Sequence, residues 1–413
     1  MSGLLARYAA VAGEDVIEQL RGLARPLAGL RVVHVNSTRV GGGVAEILVK
    51  LVPFLAELGL RATWEVIEGD ERFYACTKLF HNALQGFPLT PTAAQLAVYE
   101  RTNRDNAESL RPALRDADVV VIHDPQPAYL RECVPERRGR WVWRCHIDLS
   151  HPHRPVWRYL LPRVAGFDAS IFSLPDFVQR LPHPCYLIPP SIDPLSAKNI
   201  ELEPAEIAAV RERFGLDPAR YLVTQVSRFD RFKDPLGVVR AYRLAKLHVP
   251  GLQLVLAGGE AADDPEGAEV LREVQTAVGD DPDVRILLLP ADAHRTINAL
   301  QRASDLILQK STREGFGLTV TEGLWKGKPV IGGNVGGIRL QVHDHQTGFL
   351  VDTPEGAALR IRYLLSHPRI RERMGERARA FVQEHYLLTR HLVEYLALFH
   401  CLLKGRAQRI EVG

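Results

Sequence analysis

The sequence predicts an α/β protein of two doubly wound, Rossmann-like domains facing a central cleft. Three observations carry this prediction. The chain has 413 residues, too many for one ordinary core. Short apolar, β-branched runs alternate with helical patterns, first through one half and then through the other. Between the halves, residues 189–194 (Pro-Pro-Ser-Ile-Asp-Pro) turn to loop composition.

Bulk composition narrows the function class. Hydrophobic residues make up 46% and charged residues 24%, ordinary values for a globular chain. A net charge of only +3, with arginines scattered throughout, argues against a nucleic-acid or membrane surface. The N-terminus carries acids where a secretory signal needs an unbroken apolar stretch, and no apolar run reaches membrane-span length. Cys76, Cys133, Cys145, Cys185 and Cys401 form no CxxC pair and no metal-ligand spacing. That set fits reduced thiols of a cytoplasmic protein better than a disulfide frame.

The elements follow in order. A helical arm runs to about Leu30, and the first strand is 31–36. After Gly41, Gly42 and Gly43 a helix opens at Val44, with Ile47, Leu48, Leu51, Val52 and Leu55 on one face. A strand at 63–67 closes a right-handed βαβ unit. Further strands are predicted at 118–123, 141–146, 169–173 and 186–188. The second half repeats the alternation with strands at 222–226, 252–257, 284–288, 305–308, 329–331 and 348–351. Helices at 235–247 and 319–325 lie between them, and three helical patterns fill 355–403. The predicted division is 1–195, an acceptor-binding domain, and 196–385, a nucleotide-sugar-binding domain, with 386–413 a helix returning to the first.

Four constellations suit chemistry. Gly41, Gly42 and Gly43 stand between a strand and a helix, where free amides and the positive dipole end attract an anion. A tight ligand-free turn explains the same residues equally well. Residues 227–234 (Ser-Arg-Phe-Asp-Arg-Phe-Lys-Asp) directly follow a strand, at the edge where open α/β sheets bind ligands. Arg228 and Lys233 suit two phosphates, one as a planar fork and one as a point charge; a solvated basic loop is the bland alternative. In residues 311–322, Glu314 lies just past a strand, and Phe316-Gly317 begins a helix carrying Glu322. Eight positions are a little over two turns, so both carboxylates could face one wall. Each also reads as an ordinary helix-end or surface acid. Finally, Asn36, Glu68, Lys78, His81, Asp124, Gln126, Arg144, His146 and Asp148 supply the donors and acceptors a sugar needs. A lone His or Asp among them reads equally as a structural hydrogen-bonder.

Metal readings are weak. Asp116 and Asp118 precede a strand, and the His151/His153 and His343/His345 pairs lack helical spacing. No metal site is predicted and no cofactor is required, although Mg2+ stimulation is compatible.

In combination these stretches resemble the retaining GT-B glycosyltransferases of family four over nearly the whole chain. Residues 227–233 look like that family's diphosphate motif and Glu314 with Glu322 its paired glutamates. Gly41, Gly42 and Gly43 look like its glycine loop, and Gly315, Phe316, Gly317 and Leu318 its donor-binding helix start. A narrower match, through residues 34–48, 64–69, 78–86, 144–148 and 190–196, is with its trehalose-forming synthases and, next, its trehalose phosphorylases.

The resemblance implies retaining transfer of glucose from UDP-, ADP- or GDP-glucose to free glucose, giving α,α-trehalose reversibly. Arg228, Lys233, Glu314 and His146 are implied catalytic residues, with His146 supporting the donor sugar rather than acting as base. Glu322 is implied to hold the ribose, and residues 287–291 are read as the base pocket. Asn36, Glu68, Lys78, His81, Asp124, Gln126, Arg144 and Asp148 are implied acceptor residues. A homodimer is compatible with the sequence. An epimerase on the same scaffold and a binding-only sensor are the readings from other classes. Asp234 departs from the family pattern, which commonly has Gly after the lysine.

Overall fold

Among the described residues the strands form two six-stranded sheets, every neighbouring pair parallel. The structure is a computed structural model that describes residues 3–40, 42–259 and 265–404. It divides into a first unit, Met1–Ser191 with Leu388–Gly413, and a second, Ile192–Leu387.

In the first unit the strands are β1 (Arg31–Asn36), β2 (Arg61–Val66), β3 (Val119–His123), β4 (Arg140–Arg144), β5 (Ala169–Phe172) and β6 (Cys185–Leu187). Their order is β2-β1-β3-β4-β5-β6. The chain leaves β1 towards one edge and returns on its other side, so the topological switch point lies between β1 and β3. In such sheets ligands bind beyond the carboxyl ends at that point. The helix Gly43–Glu57 buries Ile47, Leu48, Leu51, Val52 and Leu55, the predicted face, while Val44 stays half-buried. The helix Leu388–Lys404 packs on Glu14–Ala24, where His400 Nε2 bonds the Leu23 carbonyl at 2.8 Å.

The second unit holds β7 (Leu222–Val226), β8 (Gln253–Gly259), β9 (Val284–Leu289), β10 (Leu306–Gln309), β11 (Val330–Gly333) and β12 (Gly348–Val351). Their order, β12-β11-β10-β7-β8-β9, places the switch point between β7 and β10. One side of this sheet is sealed by a core including Val238, Tyr242, Val274 and Ile361. A second cluster includes Val210, Val255, Ala299 and Leu300. Burial on both faces explains the unbroken apolar strands.

Most strand boundaries move by one or two residues, and three of the shifts at the ends of elements have a visible cause. β4 stops at Arg144 rather than His146, because the His146 N–H is taken by the Asp124 carboxylate at 2.7 Å. The glycine-loop helix starts at Gly43 rather than Val44, since Gly42 at φ 82° already makes the turn. The later helix starts at Leu318 rather than Phe316-Gly317, with Gly317 in the left-handed region at φ 87°.

Candidate active site

The second switch point gathers the strongest charges. The loop after β7 closes in a short 3-10 helix, Arg231–Lys233, capped by Asp230, which accepts the Phe232 N–H at 2.7 Å. The loop after β10 is tied to it: the Thr312 N–H donates to the Phe232 carbonyl at 2.7 Å. Across that tie Lys233 Nζ reaches Glu314 Oε2 at 2.5 Å, and Ser311 Oγ donates to the same oxygen at 3.3 Å. Two motifs 81 residues apart in sequence thus share one ion pair. Arg228 is 64% exposed and, among the described residues, meets the Asp230 carboxylate at 3.2 Å. Arg231, by contrast, is held by Glu273 and Glu269.

Asp234 occupies the left-handed region (φ 46°, ψ 52°), which explains why glycine suits this position. Its side chain compensates: it caps the helix Pro235–Lys246 through the Gly237 N–H and pairs with Lys310.

Glu314, Gly315, Phe316, Gly317 and Leu318 form a tight approach to the following helix. Gln341 Nε2 donates to the Phe316 carbonyl at 2.6 Å, and the Gly337 N–H donates to the Glu314 carbonyl at 3.2 Å. Glu322 sits on that helix but is only 2% exposed. Its carboxylate lies near Gln301 (3.5 Å) and Lys198 (3.8 Å). The two glutamates therefore have separate partners. Behind Glu322, the buried Lys326 ammonium donates to Asn199 Oδ1 at 3.1 Å, and burial lowers its pKa to about 7.

In the first unit, Asn36 ends β1, buried, and accepts the Trp64 indole N–H at 2.8 Å. Gly42 caps the next helix and Gly43 opens it; Gly41 lies outside the described residues. Asp124 follows β3 with φ 63°, and burial raises its carboxyl pKa to about 7. Arg144 ends β4 fully buried; its Nη1 reaches the Phe172 carbonyl at 3.4 Å, while Nε and Nη2 have no partner among the described residues. Asp148 is buried and accepts the Ser150 hydroxyl at 2.5 Å. Glu68 is exposed after β2, and its backbone exchanges two hydrogen bonds with Asn106. Lys78 and His81 are half-buried on the helix Glu71–Leu84. Gln126 is half-buried after β3, and its backbone carbonyl accepts from Asn103.

The reading from sequence missed a partner of His146 and a second ring behind it. His123 Nδ1 lies 3.0 Å from His146 Nε2, and His34 Nδ1 lies 3.0 Å from His123 Nε2. Burial holds His34 down to about 3 and the other two well below the usual imidazole range. The alternation His34, Asn36 along β1 was the available signal, but an apolar strand hid it. Lys198, Gln301 and Lys326 were missed too, each lying far in sequence from the group it supports or outside any motif; Ser311 stood inside the 311–322 stretch without being given a role.

The chain is similar to known proteins over most of its length. A family model described as "Trehalose synthase, N-terminal domain" matches residues 34–179, and one described as "Glycosyl transferases group 1" matches 206–381. A trehalose synthase of Pyrococcus horikoshii is 46% identical over 399 residues, 96% of this chain and 95% of that protein. The chain belongs to the trehalose synthase family. Another trehalose synthase, of Rubrobacter xylanophilus, is 42% identical over 405 residues, 97% of each chain. A trehalose phosphorylase of Pleurotus pulmonarius is more distant, 30% identical over 378 residues, 80% of this chain and 51% of that protein.

Among solved structures, a trehalose-phosphate synthase of Burkholderia xenovorans in complex with glucose-6-phosphate aligns with TM-score 0.72 at 16% identity, covering 90% of this chain and 100% of that one. Anabaena HepE in complex with UDP and glucose aligns with TM-score 0.71 at 17% identity, covering 90% and 100%. These establish the GT-B fold. Membership in the trehalose synthase family makes the protein a hexosyltransferase that forms trehalose. No helix of the described residues is long and apolar enough to cross a membrane, and none of their His, Cys, Asp and Glu side chains cluster as a metal site.

Proposed function

We propose that the chain makes α,α-trehalose from a nucleoside-diphosphate glucose and free glucose, with retention at the donor carbon. The observation carrying this reading is the charge set at the β7/β10 switch point: Arg228, and Lys233 paired to Glu314. The two cations suit a leaving diphosphate, and Glu314 suits hydroxyl groups of the donor sugar. Identities of 42–46% to trehalose synthases, against 30% to a trehalose phosphorylase, favour a synthase over the phosphate-dependent reaction.

In this scheme the glycosidic bond breaks towards an oxocarbenium-like carbon. The departing phosphate oxygen takes the proton of the incoming hydroxyl on the same face. Two carboxylates flanking the bond, the arrangement of a double displacement, are not used. Arg228 and Lys233 carry the neutralisation of the diphosphate, so turnover is expected to survive chelation of divalent cations. The base is proposed to lie against residues 287–291 at the end of β9, where Leu288 is 43% exposed.

The test mixes the protein with UDP-, ADP- or GDP-glucose and free glucose and looks for a non-reducing disaccharide and released nucleoside diphosphate. Trehalose breakdown that needs inorganic phosphate and no nucleotide would instead identify a phosphorylase. Change in the donor without any acceptor would identify an isomerase.

A further inference from the structure

We propose that His34 and His123 are positioning residues that fix His146 as a hydrogen-bond donor, its proton on Nδ1, at the carboxyl edge of the first sheet. This rests on the reading that sugar binds at that edge.

The three rings come from β1, the end of β3 and the loop just past β4, beside the β1/β3 switch point. His34 pairs in register with Val121, two residues before His123; His123 pairs with Arg144, two residues before His146. Partners in register and residues two apart share a face, so all three rings fall on one side of the sheet. Their nitrogens meet at 3.0 Å twice. Each contact needs one N–H and one lone pair, and a neutral imidazole owns one of each.

Only two proton patterns satisfy both contacts. In the first, protons point outward: His34 Nδ1–H donates to His123, His123 Nδ1–H donates to His146 Nε2, and His146 carries its proton on Nδ1. In the second every bond reverses, and His34 must carry its proton on Nε2. That nitrogen is buried with no partner among the described residues, in a ring with no exposed surface. An unmet buried polar atom costs roughly 1–3 kcal/mol in either pattern. Among buried main-chain groups unmet N–H donors are rarer than under-used acceptors, and the same bias is carried over to this ring. The outward pattern wins.

His146 is then held twice, through its ring by His123 and through its backbone N–H by Asp124 at 2.7 Å. It is the half-buried outer end of the chain, and its Nδ1 has no partner among the described residues. Its chemistry follows: it donates to an oxygen such as a sugar hydroxyl and takes up no proton there. Nδ1–H is also the minority form of free imidazole, so finding it is diagnostic.

The experiment labels the full chain with 15N-histidine and records long-range ring correlations at neutral pH, with assignments from His34→Asn, His123→Asn and His146→Gln. His146 is expected as the Nδ1–H form in the wild type and in His123→Asn, whose carboxamide N–H stands near the original Nδ1. His123→Leu is expected to release His146 to the Nε2–H form. In trehalose formation, His123→Leu should lose roughly 10- to 100-fold in kcat, with His123→Asn within about threefold of wild type. A wild-type His146 protonated on Nε2 overturns the proposal, as does an unchanged tautomer in a folded His123→Leu. If the leucine variant does not fold, the wild-type and asparagine spectra decide. A wild-type protein that makes no trehalose refutes the reading of function instead, and the tautomer is still read.

Discussion

Lys233 Nζ and Glu314 Oε2 lie 2.5 Å apart, so the cation proposed for the diphosphate and the carboxylate proposed for the sugar hold each other. The lysine side chain is 19% exposed and the glutamate 9%, so water screens the pair poorly. Arg228 bears no comparable structural duty, being 64% exposed.

That contrast separates two variants. Arg228→Ala is expected to lower kcat for trehalose formation about 100- to 1,000-fold while leaving the unfolding midpoint within about 2 °C. Lys233→Ala should lose as much activity and also roughly 3 kcal/mol of stability, because Glu314 is left buried without its counter-charge. Adding Glu314→Gln to Lys233→Ala should restore stability and not activity. Steady-state kinetics and denaturant unfolding of the variants check this, and equal stability of the two alanine variants would sink it.

Asp234 yields a second prediction. Asp234→Ala removes the cap on the Gly237 N–H yet keeps a side chain at φ 46°, so a loss of about 2 kcal/mol is expected. Asp234→Gly loses the same cap but relieves the backbone and should fall within about 1 kcal/mol of wild type. Both also free Lys310 from its partner. Thermal unfolding of the two variants side by side is the measurement, and alanine matching glycine would count against the backbone argument.

Both sheets were legible in the sequence because strands buried on two faces are written as continuous apolar runs. Leu222–Val226 and Gly348–Val351 match their predicted bounds end for end. Boundaries slipped where a side chain captures the backbone, as Asp124 does at His146, or where glycine turns the chain early, as at Gly42. Local charge clusters such as Arg228 with Lys233 were visible as candidates. Pairings across strands were not. Nothing in the spacing of His34, His123 and His146 says that they touch; that follows from the strand order, which places β3 rather than β2 between β1 and β4.

The acid–base behaviour of the first unit gives a third prediction. Burial raises Asp124 from 3.8 to about 7, so the folded state keeps a proton that the unfolded chain releases between those values. Stability from this group is therefore present below pH 3.8 and is lost as pH rises towards about 7, by up to about 1.4 kcal/mol per pH unit. Asp124→Asn keeps an acceptor for the His146 N–H and tolerates φ 63°. Its stability relative to wild type should climb across that window and then level off. The lowered histidines act oppositely: His34, unfolded at 6.5 and folded at about 3, costs stability as pH falls through that range. Urea unfolding of both proteins at several pH values checks the sign, and a flat difference would refute it.

Gly337 offers the most local test of the donor-side loop. Its backbone is unstrained at φ −65°, so alanine is conformationally acceptable there. Space forbids it: an added Cβ would stand 2.3 Å from Phe316 Cα and 2.8 Å from the Gly315 carbonyl oxygen. Both are backbone atoms, so the whole Gly315–Leu318 turn must shift to admit a methyl group. That turn opens the helix carrying Glu322, and the Gly337 N–H also anchors the Glu314 carbonyl at 3.2 Å. Gly337→Ala is thus expected to cost roughly 1–3 kcal/mol in unfolding. It should also weaken donor binding at least tenfold, about 1.4 kcal/mol. Calorimetric titration with the nucleotide sugar and thermal unfolding read the two effects separately, and unchanged donor affinity in the alanine variant would detach this turn from the donor.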